Sequence, residues 1–78
     1  MTNQEKYEKA FIDTFGINND GLAELKYQDI SEWDSVGHMT LIAALEEAFD
    51  IMFDTDDIID LSSFEKGKEI LKKYNVEF

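Results

Sequence analysis

The chain has 78 residues, ten aromatic side chains and no cysteine, which bounds it to one small domain with enough apolar material for a single core and no disulfide or thiolate metal site. Eighteen acids face seven lysines and no arginine, a net charge of -11. That balance excludes phosphate-backbone binding to nucleic acid, disfavours anionic membrane surfaces and points to basic proteins as partners.

Thr2 and Glu5 have the spacing of a capping box, and Tyr7, Ala10, Phe11 and Phe15 follow at helical intervals up to Gly16. A first helix over 3–15 is predicted, with Gly16 as its stop. Residues 17–34 carry Asn18-Asn19-Asp20-Gly21 and scattered Leu22, Leu25, Ile30 and Trp33 without a sustained period. They read as a long loop pinned by its own apolar side chains, with a helical turn near Leu22 to Leu25. Asp34 is a suitable N-cap for a second helix from Ser35 to about Asp50. Asp54 or Thr55 caps a short third helix ending near Leu61. Ser62 with Glu65 forms a second capping-box pattern that opens a fourth helix running to about Tyr74. There is no proline, no internal repeat and no strand-like alternation of useful length, so the expected architecture is all-α: a small four-helix bundle with three longer helices, one short third helix and a long loop between the first two. No apolar run approaches the roughly 18 residues of a membrane span, and Met1-Thr2-Asn3-Gln4-Glu5 lacks the cationic start of a secretory signal, so a cytoplasmic monomer is expected.

The charge is unevenly placed. Between Lys26 and Lys66 there is no basic side chain, and that stretch holds eleven acids, while the flanks hold seven acids and seven lysines. The whole net charge therefore lies in the middle of the chain.

The fourth helix is plainly amphipathic, with Phe64, Gly67, Ile70, Leu71 and Tyr74 on one arc. The second helix differs. At about 100° per residue its core face is Leu41, Ile42, Ala44, Leu45, Ala48 and Phe49, with His38 on the same side at the core boundary. The other arc gathers Ser35, Val36, Met39, Thr40, Ala43, Glu46, Glu47 and Asp50. Three apolar side chains, Val36, Met39 and Ala43, thus sit on the solvent side inside a rim of carboxylates, the composition of a docking surface. Glu46, Glu47 and Asp50 also occupy the last turns of their helix, where the macrodipole disfavours negative charge and where they repel one another at i,i+3 and i,i+4. Asp54, Asp56 and Asp57 open a helix, where acids are stabilising.

Ser35 stands at the first helical position, beside backbone N–H groups that lack intrahelical acceptors. An anion is favoured there, and a phosphate ester on the hydroxyl would be stabilised by the same dipole. At Asp34-Ser35-Val36, Leu41, Leu45-Glu46-Glu47, Phe49-Asp50, Phe53, Asp56-Asp57 and Leu61 the chain resembles the acyl carrier protein family, including its peptidyl and aryl carriers. The likeness runs from residue 34 to the end of the last helix and more loosely over the first. It implies that Ser35 is esterified with 4'-phosphopantetheine from coenzyme A, whose thiol carries acyl groups as thioesters. It further implies that Asp34 caps and orients the site. Val36, Met39 and Ala43 would make the apolar contacts of docking, with Glu46, Glu47, Asp50, Asp56 and Asp57 as the steering charges. The partners so implied are a phosphopantetheinyl transferase, an acyl- or aminoacyl-loading enzyme, and synthases or transferases with basic patches. The chain departs from carriers of primary fatty acid synthesis at Trp33, Val36, Gly37 and Thr40. Its Trp-Asp-Ser start, led by Asp29-Ile30, is more similar to stand-alone carriers of polyketide, nonribosomal peptide or polysaccharide-modification pathways.

Three other readings compete. A hydrolase built on Ser35, His38 and Asp34 lacks an evident oxyanion hole and cleft, and its histidine points to the core face, so no catalytic residue is expected. A calcium loop fails in both registers: with Gly21 at position 6, Gly16 and Tyr27 take positions 1 and 12, and starting at Asp50 puts Met52 and Leu61 at positions 3 and 12. No specific metal site is expected. The remaining alternative is an acidic helical adaptor for basic proteins that carries no prosthetic group.

Overall fold

The computed structural model describes residues 1–78. It contains α1 (Asn3–Phe15), a 3-10 turn (Leu22–Glu24), α2 (Ser35–Phe49), α3 (Thr55–Asp60) and α4 (Phe64–Lys73), packed into a body of 29 × 27 × 19 Å. The all-α bundle expected from the sequence is the observed architecture, and none of its helices is long and apolar enough to cross a membrane.

Local chemistry sets the ends of the helices. Thr2 Oγ1 accepts the Glu5 N–H at 3.1 Å while Glu5 Oε1 accepts the Thr2 N–H at 2.8 Å, the reciprocal capping box that opens α1. Gly16 closes it at φ 66°, a left-handed conformation that favours glycine. At the start of α2, Asp34 Oδ1 accepts the Gly37 N–H at 2.8 Å, as a capping aspartate should. Asp50 ends the helix at φ 54°, a left-handed position that a short polar side chain tolerates.

The start of α4 corrects the sequence reading. Its N-cap is Ser63, whose hydroxyl accepts the Lys66 N–H at 3.0 Å, and the box expected from Ser62 and Glu65 does not form. The reason lies in the long loop. Tyr27 N–H donates to the Ser62 carbonyl and Phe64 N–H to the Leu25 carbonyl, both at 2.9 Å, so a single antiparallel bridge between Lys26 and Ser63 holds Ser63 in the extended backbone of an N-cap and the helix starts one residue later. Asp54 takes the N-cap position of α3 without a side-chain cap bond.

The core joins 15 buried apolar residues drawn from α1, α2, α4 and the connecting segments, and α3 adds the partly buried Ile58 at its edge. Phe11 lies at its aromatic centre, with ring centroids 5.0 Å from Tyr7, 6.0 Å from Phe15, 5.5 Å from Trp33 and 5.1 Å from Phe64. The Tyr7 hydroxyl is buried and donates to the Phe64 carbonyl at 2.6 Å, tying α1 to the first turn of α4. α2 contributes Leu41, Ile42 and Leu45 as fully buried residues. The loop contributes Leu22 and Trp33, so the segment before Ser35 is anchored in the core although it lacks regular structure.

Candidate functional site

Ser35 is the first residue of α2 and is exposed. The Asp34 carboxylate satisfies Gly37 and the Asp34 carbonyl accepts the His38 N–H at 2.8 Å, leaving the N–H groups of Ser35 and Val36 without intrahelical acceptors. Trp33, wholly buried two residues upstream, fixes the approach of the chain: its indole packs on Phe15 at 5.4 Å and on Phe11. Gly37 completes the arrangement from the helix side. A Cβ there would lie 1.9 Å from the Glu32 carbonyl oxygen, so the loop crosses the first turn of α2 at a separation that only glycine permits.

Along the outer face of α2 from Ser35, Val36 is 74% exposed and Met39 52% exposed, and Thr40, Ala43, Glu47 and Asp50 are exposed with them. Thr40 turns its hydroxyl back to the Val36 carbonyl at 3.1 Å, which leaves its methyl group in the stripe. Glu47, Asp50 and Asp56 take part in no ion pair; the three pairs in the molecule are Lys9–Asp13, Lys66–Glu69 and Lys73–Asp57. The structure thus places an exposed hydroxyl, an apolar stripe and the carboxylates of Glu47 and Asp50 along α2, with Glu47 also bordering a hollow that holds Lys6 and Lys9 of α1.

Two of the acids do not belong with the free ones. Asp57, expected among the steering charges, is buried: Lys73 Nζ approaches Oδ1 at 2.5 Å, and the Tyr74 hydroxyl donates to Oδ2 at 2.5 Å. Its carboxylate is committed to holding α3 against the end of α4, and it is withdrawn from the docking set. Tyr74 extends the tie by accepting the Asp54 N–H at 2.9 Å. Glu46 is half-buried and accepts the Phe53 N–H at 3.0 Å, so its place near the end of α2 has a structural cause: it satisfies a donor in the α2–α3 loop.

The hydrogen bonds from Lys73 and then Tyr74 hold the Asp57 carboxyl below the usual carboxylate range. A depressed folded-state value stabilises the fold at pH above the ordinary aspartate value of about 4, and that contribution is lost as pH falls through the folded value. Acid titration followed by circular dichroism should therefore show the melting temperature falling below about pH 4, and Asp57→Asn should lower it at neutral pH while flattening the acid limb. An Asp57→Asn protein with an unchanged acid limb would contradict this assignment.

The sequence did not reveal a groove of about 370 Å3 beside Ser35, walled by Ser35, His38 and Met39 of α2, by Ile58 and Ile59 of α3, and by Tyr27 of the loop. Its size falls in the range of small-molecule clefts. Ile59 is 72% exposed at its edge. The available signal was the Ile58-Ile59 pair on a six-residue helix, since neighbouring side chains diverge by about 100° and only one of them can face the core. His38 is half-buried at the core boundary, as expected, with both ring nitrogens in hydrogen bonds to groups other than Ser35. No hydrogen bond joins His38 to Ser35. No group of three or more His, Cys, Asp or Glu is arranged to hold a metal ion.

Fold and site together define a small acidic helical bundle that presents one serine hydroxyl at a helix start. No family model matches the chain, and neither a curated protein nor a solved structure matches it.

Proposed function

We propose that this protein is a carrier whose Ser35 hydroxyl bears a 4'-phosphopantetheine arm, and that it presents acyl or aminoacyl groups to partner enzymes. One observation carries the reading: the exposed Ser35 stands where α2 leaves N–H groups free, at the head of an apolar stripe rimmed by unpaired carboxylates and at the mouth of a groove. The residues present fit the group. The free N–H groups of Ser35 and Val36 and the dipole of α2 favour a phosphate diester at this position. When attached, the arm supplies a terminal thiol that holds acyl groups as thioesters.

The chain's own part in loading is to offer the nucleophile. Ser35 Oγ forms a bond to the pantetheine-side phosphorus of coenzyme A and gives its proton to a base on the transferase; the bond from phosphorus to the departing 3',5'-ADP breaks. Asp34 serves by capping, which keeps Ser35 at the first helical position. Val36, Met39 and Ala43 supply apolar contact, and Glu47, Asp50 and Asp56 attract a basic partner. Charges in such a rim act mainly on encounter rate and orientation, which suits a carrier that must leave each enzyme it visits. Stand-alone service to a dedicated polyketide, nonribosomal peptide or polysaccharide-modifying system fits the Trp33-Asp34-Ser35 start.

The test is an intact mass after incubation with coenzyme A and a phosphopantetheinyl transferase. A single phosphopantetheine adduct, absent from Ser35→Ala, is expected. An unchanged mass with several transferases would overturn the reading and favour the acidic adaptor, which shares the rim but has no use for Ser35.

A further inference from the structure

His38 lies one turn beyond Ser35, and its hydrogen bonds determine its tautomer. The indole of Trp33 has a donor and no acceptor. Its Nε1–H meets His38 Nδ1 at 3.0 Å, so Nδ1 must present a lone pair. The ring proton is then on Nε2, which donates to the Ile58 carbonyl at 2.7 Å. One neutral imidazole thus joins the loop that leads into Ser35, the first turns of α2, and α3. These three segments also wall the groove at the Ser35 hydroxyl.

We propose that His38 is a positioning residue for Ser35: it acts through Trp33, clasping the lead-in loop onto α2 so that the hydroxyl stands at the groove mouth, and it does so only as the neutral ring. The functional half rests on the carrier reading; the clasp itself does not. A second proton, on Nδ1, would set donor against donor at a fully buried indole that has no water to turn to. The ring's partners on the loop and on α3 are uncharged. From the loop it faces the Tyr27 ring at 5.5 Å and Trp33, and from α3 the Ile58 carbonyl. On its own helix the Asp34 carboxylate is held by Gly37, and on α3 Asp57 is held by Lys73 and Tyr74.

Two substitutions separate the two bonds. His38→Asn keeps an acceptor at the place of Nδ1 and gives up the reach to Ile58. His38→Gln keeps a donor for Ile58 and gives up the acceptor for Trp33. In the unaltered protein, nitrogen NMR of the imidazole at pH 8 should show the proton on Nε2, and the Trp33 indole N–H should be protected from exchange. Protection should fall in His38→Gln, which lacks the acceptor, and persist in His38→Asn, which keeps it. The Ser35 and Val36 amide resonances should move in His38→Gln and stay near their places in His38→Asn. In the transferase assay, His38→Gln should lose roughly tenfold in kcat with KM little changed, because a displaced nucleophile costs rate while the docking stripe is untouched. His38→Asn should load at close to the normal rate.

The opposite tautomer, an indole N–H as well protected in His38→Gln as in the unaltered protein, or His38→Gln loading at the normal rate would each overturn the proposal. Failure of the unaltered protein to take up the arm would instead overturn the carrier reading and, with it, the functional half, while the NMR measurements decide the clasp.

Discussion

Trp33→Ala should destabilise the domain by about 3–5 kcal/mol, the range for removing a large buried aromatic side chain. The residue has no exposure and packs against rings on both sides, Phe15 stacked at 5.4 Å and Phe11 edge-on at 5.5 Å. Truncation leaves a cavity among rings that are themselves fixed by other contacts, so collapse cannot refill it. It also strands His38 Nδ1 without a donor. A domain of this size has a total stability of about 5–15 kcal/mol, so urea denaturation should show a midpoint shifted strongly downward. A loss below about 1 kcal/mol would mean that the loop is not anchored by this side chain. Trp33→Phe keeps most of the apolar contact and should fall between the two proteins.

Gly37→Ala is the second substitution with a large expected effect, despite adding a single methyl group. The neighbour it meets is the Glu32 backbone carbonyl, not the flexible end of a side chain, so either the loop or the first turn of α2 must move. Overpacking of this kind costs about 1–3 kcal/mol. The site should suffer more than the fold, because the displaced loop is the one that carries Trp33, Asp34 and Ser35. The expected result is a folded protein, judged by its circular dichroism spectrum, whose rate of phosphopantetheine uptake falls roughly tenfold or more. Uptake at the normal rate would show that the transferase does not depend on the resting position of Ser35.

The parts of the fold that sequence made legible are those governed by local chemistry. The box at Thr2 and Glu5, the glycine at position 16 and the aspartate ahead of Ser35 act over three or four residues, and their roles follow from spacing alone. The exposed stripe of α2 was legible because a helix wheel separates two faces whatever packs against them. What stayed hidden depends on contacts between distant segments. Ser63 displaces Ser62 as the cap of α4 because residues 25–27 pair with residues 62–64. Asp57 looks like any acid in the first turn of a helix until Lys73 and Tyr74 arrive from the far end of the chain. Glu46, read as a charge placed against the helix dipole, answers a donor seven residues later. The groove beside Ser35 needed all three: the loop, α2 and α3.

α3 is held in place by its neighbours. Six residues are too few to persist as a helix by backbone hydrogen bonding alone. Its hold on the bundle comes through discrete tethers: the adjoining Asp57 carboxylate and Ile58 carbonyl at its middle, bound to Lys73 with Tyr74 and to His38, and Leu61 in the core just past its end. Compliance is therefore concentrated in one wall of the groove, while the wall that bears Ser35 belongs to a fifteen-residue helix rooted in the core. A body seated in the groove would be accommodated by displacement of α3, leaving the attachment point and the docking stripe in fixed register.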